Sequence, residues 1–335
     1  MTMKLVIAIV LVASPLPAAA QAQMRLGPHL PVPTGIVVPE DGVTVPMQDM
    51  GGRPVVELKI NEKGPYRFIL DTGAMTTVVS DELNRELSLT PPAGVQVASG
   101  AGRAPAIVLI HDLHIGDAVV KDMIAAVMPL GGLLKGENAP RGILSAACFP
   151  GYLLTYDYPG RRIVIRKGEL ASADSKSIFQ YTQEQVLPTV PVRIAGHDTQ
   201  VHLDTGSAFG LTLPVKFLTE LPLAAPPEEA GTVRTGAGEF PVSIARVKGA
   251  MELGKYTLGL DEVCFSDARP GPGPAIGNIG YGILRDFVVT LDSKNQRIRL
   301  DQSLGSPTSD QREWTRETQP RVPNASLNRI SLSPE

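Results

Sequence analysis

The sequence predicts an all-β chain made of two copies of one β lobe, and three observations carry that expectation. First, 33 glycines and 30 prolines among 335 residues punctuate short apolar or alternating runs, the spacing of strands and turns rather than of helices. Second, the apolar fraction is 43% with aromatics at only 5%, enough to bury sizeable cores and too apolar for a chain disordered throughout. Third, several landmarks recur in the same order in both halves, which the length prior of about two domains for such a chain would accommodate.

The elements follow in order. Residues 1–22 read as a secretory signal peptide: a basic start at Lys4, an apolar run from Leu5 to Ala13, then Pro15 to Ala20 as breaker and small-residue cleavage site. The run is shorter than the about 20 residues needed to span a bilayer, so an exported, periplasmic or secreted protein without stable membrane insertion is expected. Residues 23–50 form a Pro/Gly-rich stretch, either a linker or an extended arm with short edge strands at Gly35–Pro39 and Gly42–Pro46. The first lobe is expected over 51–168. Val55–Ile60 and Tyr66–Leu70 flank a turn at Asn61–Gly64, Ser80–Leu87 reads as a short capped helix, and strands follow at Val95–Ala98, Ala106–Ile110 and Leu113–Val120. A closing hairpin pairs Leu153–Tyr156 with Arg161–Arg166.

A linker at 169–186 precedes the second lobe at 187–302, which repeats the plan. Val190–Ile194 and Thr199–Leu203 flank a turn at Ala195–Asp198, Met251–Lys255 parallels Leu113–Asp117, and Asp286–Asp292 with Arg297–Leu300 parallels the first closing hairpin. Residues 303–335 are polar with scattered Pro and Ser, the composition of a disordered tail.

Charge excludes one class of function. Lys plus Arg is 31 and Asp plus Glu is 34, a formal net charge of −3, so nothing argues for nucleic acid. Cys148 and Cys264 lie in separate halves in apolar surroundings and are expected as buried free thiols, although one bridge is allowed in an oxidising compartment. The five histidines are scattered, and no metal site is expected.

The chemistry-bearing residues are two aspartates. Asp71-Thr72-Gly73-Ala74 ends the apolar strand Phe68-Ile69-Leu70, and Asp204-Thr205-Gly206-Ser207 ends Val201-His202-Leu203, 133 residues later. Each triplet places a carboxylate at the base of a loop whose glycine permits close backbone approach. Two carboxylates brought together cannot both ionise cheaply; they share a proton, so one can activate a water while the other polarises a carbonyl.

With these residues the chain resembles the aspartic peptidases of the pepsin–retropepsin superfamily, in a bacterial exported form with two retropepsin-like lobes. The resemblance runs from about Val55 to Leu300. It implies a bilobal fold of two homologous β-barrel-like lobes around a cleft, and endopeptidase activity on a peptide or protein substrate bound extended, without cofactor, in a monomer. It also implies roles. Asp71 and Asp204 would form the catalytic dyad, and Thr72 and Thr205 would make reciprocal bonds between the loops. Gly73 and Gly206 would turn amides toward the carboxylates, and Ser207 would bond the outer oxygen of Asp204 as its counterpart Ala74 cannot. Ser99-Gly100-Ala101-Gly102 and Thr235-Gly236-Ala237-Gly238 fall where the family has a flap over substrate. Gly142-Ile143-Leu144 and Gly282-Ile283-Leu284, 140 residues apart, would form the psi-shaped loops beneath the catalytic turns. The same lobes without activity would make a peptide-binding or structural module. A homodimer with a degenerate second lobe is disfavoured by the intact second triplet.

Asp157 and Asp292 read as turn and lobe-interface residues, and His202 as structural. Ser145 and Ser207 lack the Gly-x-Ser-x-Gly setting of a serine hydrolase.

Overall fold

The computed structural model describes residues 9–10, 25–26, 33, 35–92, 106–131, 138–181, 187–235, 238–260, 262–268 and 274–302. The expected leader lies outside them apart from Ile9–Val10, which pairs with Arg25–Leu26. The expected strand Val95–Ala98 and the tail 303–335 also lie outside.

Strand dominates, and beyond that two-stranded pair three larger sheets organise the described residues. In the first, six strands close into a barrel. Pro54–Ile60 pairs with Lys63–Asp71, which runs parallel to Gly142–Ser145; that strand pairs with Val78–Ser80, itself parallel to Ala118–Met128. Ile107–Ile115 closes the ring by pairing with both Ala118–Met128 and Pro54–Ile60. Burial alternates along Pro54–Ile60 from Val56 onward, with Val56, Leu58 and Ile60 inside and Glu57 and Lys59 outside, the period-2 pattern its sequence carries. Ser80 caps the helix Asp81–Leu87 by accepting from Leu83 N at 3.0 Å.

The second sheet is nine-stranded and curled. At its centre Thr189–Ile194 and His197–Leu203 form a hairpin, and His197–Leu203 runs parallel to Gly277–Ile279. Ala195 and Gly196 both take positive φ in the hairpin turn, the conformation that a two-residue connection between twisted strands requires.

The third sheet draws on both halves. Its order runs Ile178–Gln180, Arg297–Gln302, Phe287–Asp292, Leu153–Asp157, Arg162–Arg166 and Val43–Pro46. The middle pair is antiparallel, with Thr155 opposite Thr290 and their hydroxyls 3.0 Å apart. Two stretches outside the expected lobes therefore supply strands, the first expected as a linker or an arm with edge strands and the second as a linker. The 23–50 stretch contributes Gly35–Val37, Val43–Pro46 and Gln48–Asp49 to sheet edges, and 169–186 contributes Ile178–Gln180. Burial of Val43, Val45, Ile178 and Phe179 explains why neither stays loose.

One expectation is corrected. Gly142-Ile143-Leu144 is indeed a strand beside the first Asp-Thr-Gly, with Leu144 opposite Leu70 and Ser145 opposite Asp71. Gly282-Ile283-Leu284 is not its equivalent, because it lies in the helix Tyr281–Leu284. The matching place is taken by Gly277–Ile279, with Asn278 opposite His202 and Ile279 opposite Leu203. Gly280 then passes where a methyl would lie 2.5 Å from Phe209 O and 2.6 Å from Ser207 O. The next turn closes into helix with Gly282 against Gly210, where a methyl would lie 2.7 Å from the Gly210 Cα.

Candidate active site

The hairpins Pro54–Ile60/Lys63–Asp71 and Thr189–Ile194/His197–Leu203 carry the two Asp-Thr-Gly triplets to one place. The threonines lock them there. Thr72 Oγ1 donates to Leu203 O at 2.5 Å and accepts from Thr205 N at 3.0 Å. Thr205 Oγ1 reciprocates, donating to Leu70 O at 2.9 Å and accepting from Thr72 N at 3.0 Å. Both residues are buried, so each hydroxyl satisfies a strand-end carbonyl and an amide that water does not reach.

Above this lock the carboxylates meet. Gly206 N donates to Asp71 Oδ1 at 3.1 Å and to Asp204 Oδ1 at 3.0 Å, and Gly73 N donates to Asp71 Oδ1 at 2.6 Å. A methyl on Gly73 would lie 2.6 Å from Asp204 Oδ1, and one on Gly206 would meet the Asp71 carboxylate. Only glycine fits at either position. Burial, and second the negative charge of Asp204, push the Asp71 carboxyl up to about 7. Burial also raises Asp204, against hydrogen bonds from Asn278 and the loop amides. Together the two groups hold a proton at pH values where separate, exposed carboxyls would both be ionised.

Two residues that the sequence reading passed over touch this pair or its loop. Asn278 Nδ2 donates to Asp204 Oδ2 at 2.9 Å, the oxygen that the resemblance assigned to Ser207. Arg53 Nε donates to Gly206 O at 2.9 Å. Burial lowers the Arg53 pKa, and the charges of Asp204 and then Asp71 oppose that. Register could have exposed Asn278: Asn278-Ile279-Gly280 follows a glycine beside the second triplet as Ile143-Leu144-Ser145 follows Gly142 beside the first. Arg53 stands before a strand, and its bond to a loop 153 residues away left no local pattern.

The remaining expected residues are distributed as follows. Ala74 O accepts from Ser145 Oγ at 2.6 Å, and Ser207 O accepts from Tyr281 N at 2.8 Å. Thr235 and Gly238 are the paired ends of the hairpin Glu228–Thr235/Gly238–Ala245, while Gly236, Ala237 and Ser99–Gly102 lie outside the described residues. Asp157 accepts from Gly160 N and Arg162 Nε in its turn, and Asp292 from Leu170 N and Asn295. His202 is buried with Nδ1 2.8 Å from Thr189 Oγ1, and burial lowers it to about 4. Cys148 and Cys264 are buried free thiols, and burial raises both above the ordinary thiol range. An apolar cavity of about 560 Å³ lies beside Thr72, Ala74 and Met75 and extends to Phe149 and Leu291. Among the described residues no helix is long and apolar enough to cross a membrane.

Residues 56–146 match the family model described as aspartyl protease. That stretch, which contains the first triplet, is a retropepsin-like aspartic-protease domain within a larger, predominantly β chain. No curated protein was found to match the chain.

Proposed function

We propose that the chain is an aspartic endopeptidase of two retropepsin-like lobes, with Asp71 and Asp204 as its catalytic pair. The observation that carries this reading is the single amide of Gly206 donating to both carboxylates, which holds them close enough to share one proton and one water. The family match supports the first lobe only. The second lobe rests on the reciprocal threonine bonds and on the parallel strand under each triplet.

The chemistry follows from the shared proton. A water between the carboxylates loses a proton to the ionised one as its oxygen attacks the scissile carbonyl. The protonated carboxyl meanwhile donates to the carbonyl oxygen, giving a neutral gem-diol. On collapse the C–N bond breaks, the leaving nitrogen takes the proton gained from water, and a gem-diol hydroxyl returns its proton to the other carboxylate. Substrate binds extended, pairing its backbone with loop and hairpin edges. The chain works as a monomer outside the cytoplasm after its leader is removed.

The test is cleavage of an unbiased peptide library by the purified chain between pH 3 and 8. Cleavage that Asp71→Asn and Asp204→Asn each reduce by at least about 10³-fold supports the reading. A folded chain that binds peptides without cutting them would make it a peptide-binding module instead.

A further inference from the structure

The two halves present their carboxylates differently, and the registers show where. Val55 lies opposite Ile69, two residues before Asp71, and Thr189 lies opposite His202, two residues before Asp204. Arg53 and Leu187, each two residues earlier, are therefore equivalent positions. Leu187 is buried and apolar, whereas Arg53 places a guanidinium on the second triplet's loop. In the same way Ile143 lies opposite Ile69, and Asn278 opposite His202. One strand thus offers an apolar side chain where the other offers an amide donor to Asp204 Oδ2. Both departures from symmetry place positive or donor groups on the Asp204 side.

We infer that Asn278 and Arg53 are positioning residues that fix the division of labour within the pair, holding Asp204 as the anion that takes the water proton and leaving the resting proton on Asp71. The inference rests on the endopeptidase reading for its kinetic meaning, but the protonation order is a property of the folded chain whether or not it cuts peptides.

The hydrogen-bond inventory fits. An amide N–H can only donate, so at Oδ2 Asn278 favours a carboxylate over a carboxyl whose own proton lies there. Asp71 takes its amides from Gly73 and Gly206 on Oδ1 alone, so these bonds leave Asp71 Oδ2 available for a proton. Arg53 interacts with Asp204 more strongly than with Asp71. Among the described residues, the other titratable groups near the pair are Tyr156 and Tyr158, whose phenols burial keeps well above their ordinary range. His202, on the strand entering Asp204, is neutral above about 4. Neither tyrosine changes charge in the range where the carboxyls titrate.

The experiment is a ¹³C-carboxyl NMR titration of the full chain, with the Asp71 and Asp204 signals assigned by the Asn variants, in wild type and in Asn278→Leu. It is paired with the pH profile of kcat/KM wherever cleavage is seen. Wild type should ionise first at Asp204 and then at Asp71. Loss of one hydrogen bond to a charged oxygen should raise the first ionisation, and with it the acid limb, by about one to two pH units while the second moves much less. Arg53→Met should raise both, the first more than the second. Wild-type ionisation at Asp71 first, or an Asn278→Leu variant in which only the second ionisation moves, would overturn the assignment. So would an Asn278→Leu variant that stays folded and loses activity equally at every pH with neither ionisation moved. A chain that cuts nothing yet shows the expected order would retain this inference and remove the endopeptidase reading.

Discussion

A carboxyl raised by burial has a consequence for stability that is separate from activity. Asp71 titrates near 7 in the folded chain, against an ordinary value of 3.8. Folding therefore favours its protonated form, and stability is lost as pH rises from about 4 through about 7. Asparagine keeps an oxygen for the Gly73 and Gly206 amides and has no proton to lose. Asp71→Asn should then be more stable than wild type by ~1–3 kcal/mol at pH 8, allowing for the half-buried setting, with the gap closing below pH 4. Thermal unfolding at pH 4 and pH 8 reads this; a variant equally destabilised at both would contradict the raised carboxyl. The aspartates, threonines and glycines were legible in the sequence because each triplet ends an apolar strand. Arg53 was not, since a long-range bond leaves no local pattern, and Asn278 stands out only once Gly277–Gly280 is matched to Gly142–Ser145.

Each hairpin depends on the other through the threonine lock. Thr205→Val keeps nearly the same shape, yet it leaves Thr72 N and Leu70 O without their partner. Stranding two buried backbone groups should lower stability by about 3 kcal/mol, while Thr205→Ser should lose much less. Denaturant unfolding of the two variants checks this, and equal losses would place the effect in packing rather than in the bonds. At this scale strands are legible in the sequence wherever alternation and turn residues coincide, as in Pro54–Asp71, Thr189–Leu203 and the closing hairpins. Identical letters mislead where they occupy different places in the two halves. Gly-Ile-Leu occurs twice, but in the second half the strand comes earlier and the triplet falls in the helix Tyr281–Leu284.

Across the whole molecule the third sheet joins strands from the two halves. Leu153–Asp157 finds its partner in Phe287–Asp292, and Val43–Pro46 and Ile178–Gln180 occupy the sheet's outer edges. Residues 23–168 produced alone would expose the Leu153–Asp157 edge and leave Thr72 unpaired. Such a fragment should self-associate or fail to unfold cooperatively. A monomeric fragment with a sharp thermal transition would show instead that the first barrel is an independent domain. That the arm and the connecting segment take part in sheets was only partly visible beforehand, because edge strands this short leave too few residues to display a period.

In the proposed reaction two aspartates, one from each half of the chain, share one proton over one peptide bond. Its most direct test is kcat/KM for a peptide that the full chain cleaves, measured for wild type, Asp71→Asn and Asp204→Asn, each shown to be folded. Either substitution should remove at least about 10³-fold of the activity and combining them should remove little more, because the pair acts as a unit. Cleavage that survives undiminished in either single variant would contradict it.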